Sequence, residues 1–391
     1  MAKQIIRADL LLDMTGKPPM EGGAVLIEND KISAVGKAAD FTVDADTEVI
    51  DCAGQVLMPG LIDCHNHLSL DTRLKDHLLR MDDPLPELTL RAVETMKTDL
   101  LSGVTTSRCC GDKGFLDITC KKAVEAGRFQ GPRLLAATRG IRASHGHGFV
   151  GYPIDGLEPI RTAVRENLAA GADLIKIYIT GTLRGDGRIP SFFTKSEINL
   201  AVQEARRNGV RSATHCIGGQ GMDWALEIGI DSIEHAFFIT DAQIERCLDS
   251  DCWLVMTPSP FFDEDRIQTL HSADLMDQFR KERDLAAERM GAAIKAGVKF
   301  AVGTDGRHGG LARDAETVVA MGASETQALM AATRNGARVC GIEDRVGTLA
   351  PGMLADIIGV RGNPLKDIGA LKNVETVVQG GRLVKGGKDE G

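Results

Sequence analysis

A chain of 391 residues, 43% hydrophobic and 4% aromatic, has the composition of a soluble globular protein rather than a disordered or membrane one, and its length suits two or three domains or one barrel with additions. The formal charge of −9, with no clustered Lys/Arg run, argues against a nucleic-acid partner. No stretch approaches the ~18 consecutive apolar residues of a membrane span, and Met1-Ala2-Lys3-Gln4 opens no signal peptide, so a cytoplasmic protein without membrane attachment is expected.

From the first residues to about 57 the chain reads as short strands: Gln4–Leu12, Gly23–Glu28, Lys31–Val35, Glu48–Asp51 and Gln55–Leu57, with Glu28-Asn29-Asp30 and Ala53-Gly54 as turn signals. The tail resumes that style at Asp356–Val360, Val374–Gln379 and Arg382–Val384, with Gly380-Gly381 as a hairpin turn. Strand-rich ends around a different middle predict one composite β-sandwich domain, 1–57 plus 346–391. The middle, 58–345, alternates short β-branched runs with helical patterns such as Leu85–Leu101, Thr194–Asn208, Phe279–Ala296 and Ser324–Asn335. Counting the strand that begins near Met58 gives eight βα units, which predicts an α/β chain with a (β/α)8 TIM barrel. A doubly wound sheet competes with it, but the Gly-rich dinucleotide turn is missing after the first strand.

In that position stands Asp63-Cys64-His65-Asn66-His67. Residues i and i+2 of a strand point to one side, so His65 and His67 project together. Functional groups of such a barrel gather at the carboxyl ends of its strands. Read in order, those ends offer His65 and His67, Lys176, His215, His235 and Asp305. Several histidines with one carboxylate suit zinc or a similar divalent ion. Lys176 is the odd member, a charged side chain within the apolar run Leu174–Tyr178. A buried lysine must be paired, neutralised or modified. It could be carboxylated to an anionic carbamate that bridges two metals, or keep its ammonium for an anionic substrate. The nine cysteines, odd in number and without framework spacing, read as reduced and mostly buried, with Cys109-Cys110 as the one conceivable reactive pair.

The chain resembles the amidohydrolase superfamily over nearly its full length. The likeness rests on Pro59-Gly60-Leu61-Ile62-Asp63-Cys64-His65-Asn66-His67, the strand-four lysine, Gly229–His235, Gly303-Thr304-Asp305 and the tail Gly347–Asp356. In detail it is most similar to the prolidase-like and arginine/lysine carboxypeptidase-like branch, often labelled imidazolonepropionase-related. His145-Gly146-His147-Gly148 and Ala332-Thr333-Arg334-Asn335 belong to the same likeness. The resemblance implies two zinc ions per chain. His65 and His67 would hold one with Asp305, His215 and His235 the other, and an N6-carboxylysine at Lys176 would bridge them with a hydroxide. Asp305 would serve as general base, and His145 or His147 as donor to the substrate carbonyl.

Deaminases of this superfamily carry a glutamate a few residues after the strand-five histidine. Here His215 is followed by Cys216-Ile217-Gly218-Gly219-Gln220, without a carboxylate. Amide hydrolysis of a small carboxylate-bearing molecule, a dipeptide or N-acyl amino acid, is therefore favoured over a cyclic amide or heterocycle deamination. Substrate contacts are expected from loop residues Arg142 and Arg184, and from His308 just after Asp305. Thr257–Phe262 reads as a rigid apolar loop beside the pocket, and the charge-rich stretch Asp263–Arg289 as a solvated outer helix. A homo-oligomer is the expected assembly.

Overall fold

A computed structural model describes residues 3–386. Its first sheet has eight strands and is built from both ends of the chain. The order is Arg382–Lys385, Val374–Gln379, Ile357–Arg361, Thr47–Pro59, Lys3–Leu11, Gly23–Glu28 and Lys31–Lys37, with Met20–Glu21 beside Lys3–Leu11. Thr47–Pro59 carries the pairing across. It runs parallel to Lys3–Leu11 with Lys3 opposite Thr47, and antiparallel to Ile357–Arg361 with Ile357 opposite Pro59. The pairing is continuous from one end of the sheet to the other. One reading changes within it: Ala53-Gly54, read as a turn between two short strands, instead lies within one 13-residue strand. Gly54 has φ +77°, its N–H donates to the Asp9 carboxylate at 3.1 Å, and the register shifts between Ala8 and Leu10. Glycine supplies a left-handed bulge here rather than a reversal.

The middle of the chain forms two parallel sheets. Leu61–Asn66, Val104–Cys109 and Arg133–Ala136 make one. Leu174–Tyr178, Arg211–Cys216, Ser232–His235, Trp253–Met256 and Phe300–Val302 follow in the other, extended by the two-residue strands Ile141–Arg142 and Tyr152–Pro153. Every residue of Leu61–Asn66, Val104–Cys109 and Leu174–Tyr178 is buried, as helices on the outer face require. The sheets adjoin at both ends: Asp173 N–H donates to the Ala136 carbonyl at 2.9 Å, and Asp305 N–H to that of His65 at 2.8 Å.

Helices pack between these strands with legible signals. Thr194 and Glu197 form a capping box ahead of Lys195–Arg207, Thr240 and Gln243 another ahead of Asp241–Leu248. Two readings change. The pattern Ser324–Asn335 is two helices, Glu325–Ala331 and Arg334–Cys340, broken at Thr333 (φ −137°, ψ −95°). The helix expected from Phe279 begins at Ala273, capped by the Ser272 hydroxyl.

Candidate active site

The strand ends bring His65, His67, His147, His215, His235 and Asp305 to one cavity, with Lys176 buried close by. His65 ends a strand that continues to Asn66, and His67 follows it at once. His65 Nε2 and His67 Nε2 are 3.3 Å apart, and Asp305 Oδ1 lies 3.4 and 3.5 Å from them. Ligand atoms of His65, His235 and Asp305 lie within 4.8 Å of one another. His215 stands 4.4 Å from His235, ring to ring, and His147 stacks on it at 4.3 Å.

The outer nitrogens fix how these imidazoles face. His67 Nδ1 lies 2.6 Å from the Gly111 carbonyl, which can only accept, so that nitrogen bears the proton and Nε2 presents its lone pair. His235 Nδ1 meets the Thr257 hydroxyl at 2.7 Å. His65 Nδ1 meets Glu234 Oε2 at 2.8 Å, and Glu234 is itself gripped by both oxygens from Arg108 Nη2 at 2.8 Å and by the Ser232 hydroxyl at 2.6 Å. Burial opposes a charge on Glu234, but Arg108 and His65 hold its carboxyl well below the usual range. A carboxylate behind a histidine is the usual way to aim a metal ligand.

The hydrogen bonds of these residues suit them to a cation. Three electron-rich atoms, His65 Nε2, His67 Nε2 and Asp305 Oδ1, converge where only a positive charge relieves their repulsion. In the bare protein a proton serves: against the effect of burial, Cys110 and Asp305 raise His65 to about 10. Lys176 Nζ and His215 Nε2 are buried without any hydrogen-bond partner among the described residues. Orphaned buried polar atoms are rare and costly, and ligands awaiting a metal are one accepted cause. Burial also lowers Lys176 and holds His215 and His235 well below the usual imidazole range. The donor set fits a divalent ion.

Close packing sets the spacing. A Cβ on Gly303 would lie 2.5 Å from the His65 backbone nitrogen. Gly303→Ala is expected to displace His65 and to cost about 3 kcal/mol or more, the upper end for overpacking, because backbone cannot yield as a side chain does. Denaturant unfolding and the metal content of the purified variant check this.

The remaining sequence expectations are sorted by the same geometry. Of the two loop histidines, His147 lines the cavity and is pushed down to about 4 by burial. His145 is exposed and packs on Phe192 instead. Arg142 is turned to the Gly146 carbonyl (3.2 Å), Arg184 is exposed, and neither lines the cavity. His308 is buried behind the site, bonded to Asp99 Oδ2 at 2.8 Å and near the Leu70 carbonyl at 3.1 Å, so it braces the fold rather than meeting a substrate. His77, which has no strand-end placement, does line the cavity, pushed down to about 3 by burial and by Arg266.

Arg266 is the departure with most consequence. It falls in the stretch read as a solvated helix, yet Asp263 caps a separate short helix, Glu264–Gln268, that turns Arg266 inward. The side chain is buried, with Nη2 2.8 Å from Asp305 Oδ2. Burial opposes ionisation of Asp305, but Arg266 and the two histidines keep its carboxyl well below the usual range. Much of the remaining cavity wall is apolar, with Glu282 as a charged exception. Phe261 packs edge-on against Phe237 at 4.6 Å and lies 5.0 Å from Phe279, and Leu70, Met81 and Leu270 add to it. Pro260 and Phe261 come from the Thr257–Phe262 segment, which forms a short helix, Ser259–Phe262, in the wall.

The sequence profile of the amidohydrolase family matches residues 56–384. Ochratoxinase of Aspergillus niger is 29% identical, covering 98% of this chain and 86% of its own. Imidazolonepropionase of Fusobacterium nucleatum is 24% identical over 86% of this chain and 84% of its own. The crystal structure of a Xaa-Pro dipeptidase with methionine bound in its active site superposes with a TM-score of 0.87 at 27% identity, covering 98% of this chain and all of that one. The chain belongs to the amidohydrolase family, hydrolases of carbon–nitrogen bonds built on a divalent metal centre.

Proposed function

We propose that the protein hydrolyses a C–N amide bond in a small carboxylate-bearing molecule, a dipeptide or N-acyl amino acid, at a centre of two zinc ions. On this reading the two parallel sheets are arcs of one (β/α)8 barrel, 58–345, beside a composite β domain, 1–57 plus 346–391. The observation that carries the reading is the buried, unpartnered Lys176 Nζ next to a cluster of inward-facing histidine nitrogens. His65 and His67 would hold one ion with Asp305, His215 and His235 the other, with Lys176, as its carbamate, shared between them. Such ions acidify water and polarise the scissile carbonyl.

The chain supplies the rest. Arg266 fixes Oδ2 of Asp305, which leaves Oδ1 facing the histidines as proton acceptor and later donor to the leaving nitrogen. His147, kept neutral by burial, can donate a hydrogen bond to the substrate carbonyl as charge builds on it. Phenylalanine and leucine walls exclude bulk water from that step.

Zinc-loaded protein, incubated with dipeptides, N-acyl amino acids, lactams and aminated heterocycles in 18O-labelled water, tests the assignment. Mass spectrometry is expected to show one labelled oxygen in the acid product of a linear amide and none in the amine. Ammonia release from a heterocycle, with linear amides untouched, would contradict it.

A further inference from the structure

Among the described residues, Arg266 is the only arginine or lysine lining the cavity. Its neighbours leave it partly unused. Nη1 donates to Ser259 Oγ at 2.7 Å and to the Thr304 carbonyl at 3.2 Å, and Nη2 to Asp305 Oδ2 at 2.8 Å. A guanidinium has five N–H bonds, so three are taken and two remain, on Nη2 and Nε. Those three bonds also lock the group in place, so little further ordering is needed to bind a ligand.

The other ionisable groups of the wall do not compete for an anion. His77 and His147 are imidazoles rather than permanent cations, and His77 Nδ1 is already engaged by the Thr269 hydroxyl at 2.9 Å. Glu282, on the helix Ala273–Ala296, accepts from Gln278 at 2.9 Å and has no ion pair among the described residues, so it repels a carboxylate from its side of the cavity. The phenylalanines between offer no polar atom. Among the side chains of the wall, Arg266 is therefore the one permanent positive charge offered to an anionic group, and it stands beside Asp305.

We propose that Arg266 is the substrate-binding residue for the carboxylate carried by the leaving amino acid, so that the site takes N-acyl α-amino acids and dipeptides with a free carboxyl end. This rests on the reading of Asp305 as the group that passes its proton to the leaving nitrogen. Because Arg266 is bonded to that same carboxylate, a carboxyl one carbon from the nitrogen falls on the Arg266 side. The apolar side chain of the same amino acid then faces Phe261 and Phe279.

Binding, which needs no turnover, tests the anchor separately from the reaction. N-acetyl-L-leucine and its decarboxylated counterpart, N-acetyl-3-methylbutylamine, are titrated by calorimetry into zinc-loaded wild type, Arg266→Met and Arg266→Lys, with hydrolysis followed in parallel. Wild type is expected to bind the carboxylate ligand roughly 10- to 100-fold more tightly, the range of hydrogen bonds between charged groups, and Arg266→Met to bring the two within about threefold. Arg266→Lys should restore part of the preference. Equal binding by wild type, or a preference that survives in Arg266→Met at unchanged metal content and melting temperature, overturns the assignment. Preferential binding without hydrolysis leaves the anchor standing and refutes the proposed reaction instead. Loss of turnover on both ligands alike, with the binding preference intact, reduces Arg266 to a positioning residue for Asp305.

Discussion

Lys176→Ala is expected to abolish hydrolysis and, in the metal-free protein, to leave the fold as stable as before or more so. The two effects have one cause. Lys176 Nζ is buried with no hydrogen-bond partner, and burial lowers its affinity for a proton. The Nζ itself adds nothing to the stability of the bare fold, since its desolvation is uncompensated. Residues that cost stability without an internal gain are kept where function demands them. Residues that support metal ligands cost about 10- to 100-fold in affinity or activity when removed, so loss of the bridging ligand proposed at Lys176 should exceed about 100-fold. Thermal melts with and without chelator separate the effects. Wild type should gain stability from metal, by about 2.7 kcal/mol at free metal 100-fold above Kd, and Lys176→Ala should gain less. A variant that hydrolyses substrate as wild type does would remove lysine from the mechanism.

Glu234→Gln has the second-largest expected effect, in both stability and metal affinity. Arg108 is buried and spends Nη2 on both Glu234 oxygens, Nη1 on Ser232 Oγ at 3.0 Å and Nε on the Cys64 carbonyl at 2.5 Å. Neutralising Glu234 leaves a buried guanidinium without its counter-charge, a change that costs about 3–5 kcal/mol. It also leaves His65 Nδ1 with at best a neutral amide oxygen as acceptor in place of a carboxylate, so metal affinity should fall about 10- to 100-fold. The double variant Arg108→Met, Glu234→Leu distinguishes the contributions. Removing both charges should recover much of the stability, as apolar replacement of a buried pair does, but not the metal affinity, since His65 stays unaimed. Urea unfolding and competitive metal titration read the two quantities independently.

Lys176 was legible because a charge within a run of β-branched residues must have a reason. Arg108 and Glu234 carry the same signal, in Val104–Cys109 and Ser232–His235, but each sits beside a more eye-catching neighbour: Cys109-Cys110 in one case, His235 in the other. Charged residues in fully buried strands, taken together, would have found the whole Arg108–Glu234–His65 relay. The strands that carry the clustered histidines were readable for the same physical reason: burial on both faces forces unbroken apolar runs. Arg266 was not readable. It lies among charges of both signs, and only the Asp263 cap, which starts a five-residue helix, turns it towards Asp305. Gly54 misled in the opposite sense, since a left-handed glycine serves a bulge as well as a turn. The choice between His145 and His147 lay beyond the sequence, because both flank Gly146 and only packing against His215 sets one of them in the cavity.

Metal stoichiometry addresses the central claim most directly. Protein reconstituted with zinc in bicarbonate buffer and freed of excess ion is analysed by plasma mass spectrometry, as wild type and as Lys176→Ala. Two tightly held ions per chain in wild type, with no more than one in the variant, is the predicted result. One ion or none in wild type, with Lys176→Ala equally loaded and equally active, would contradict it.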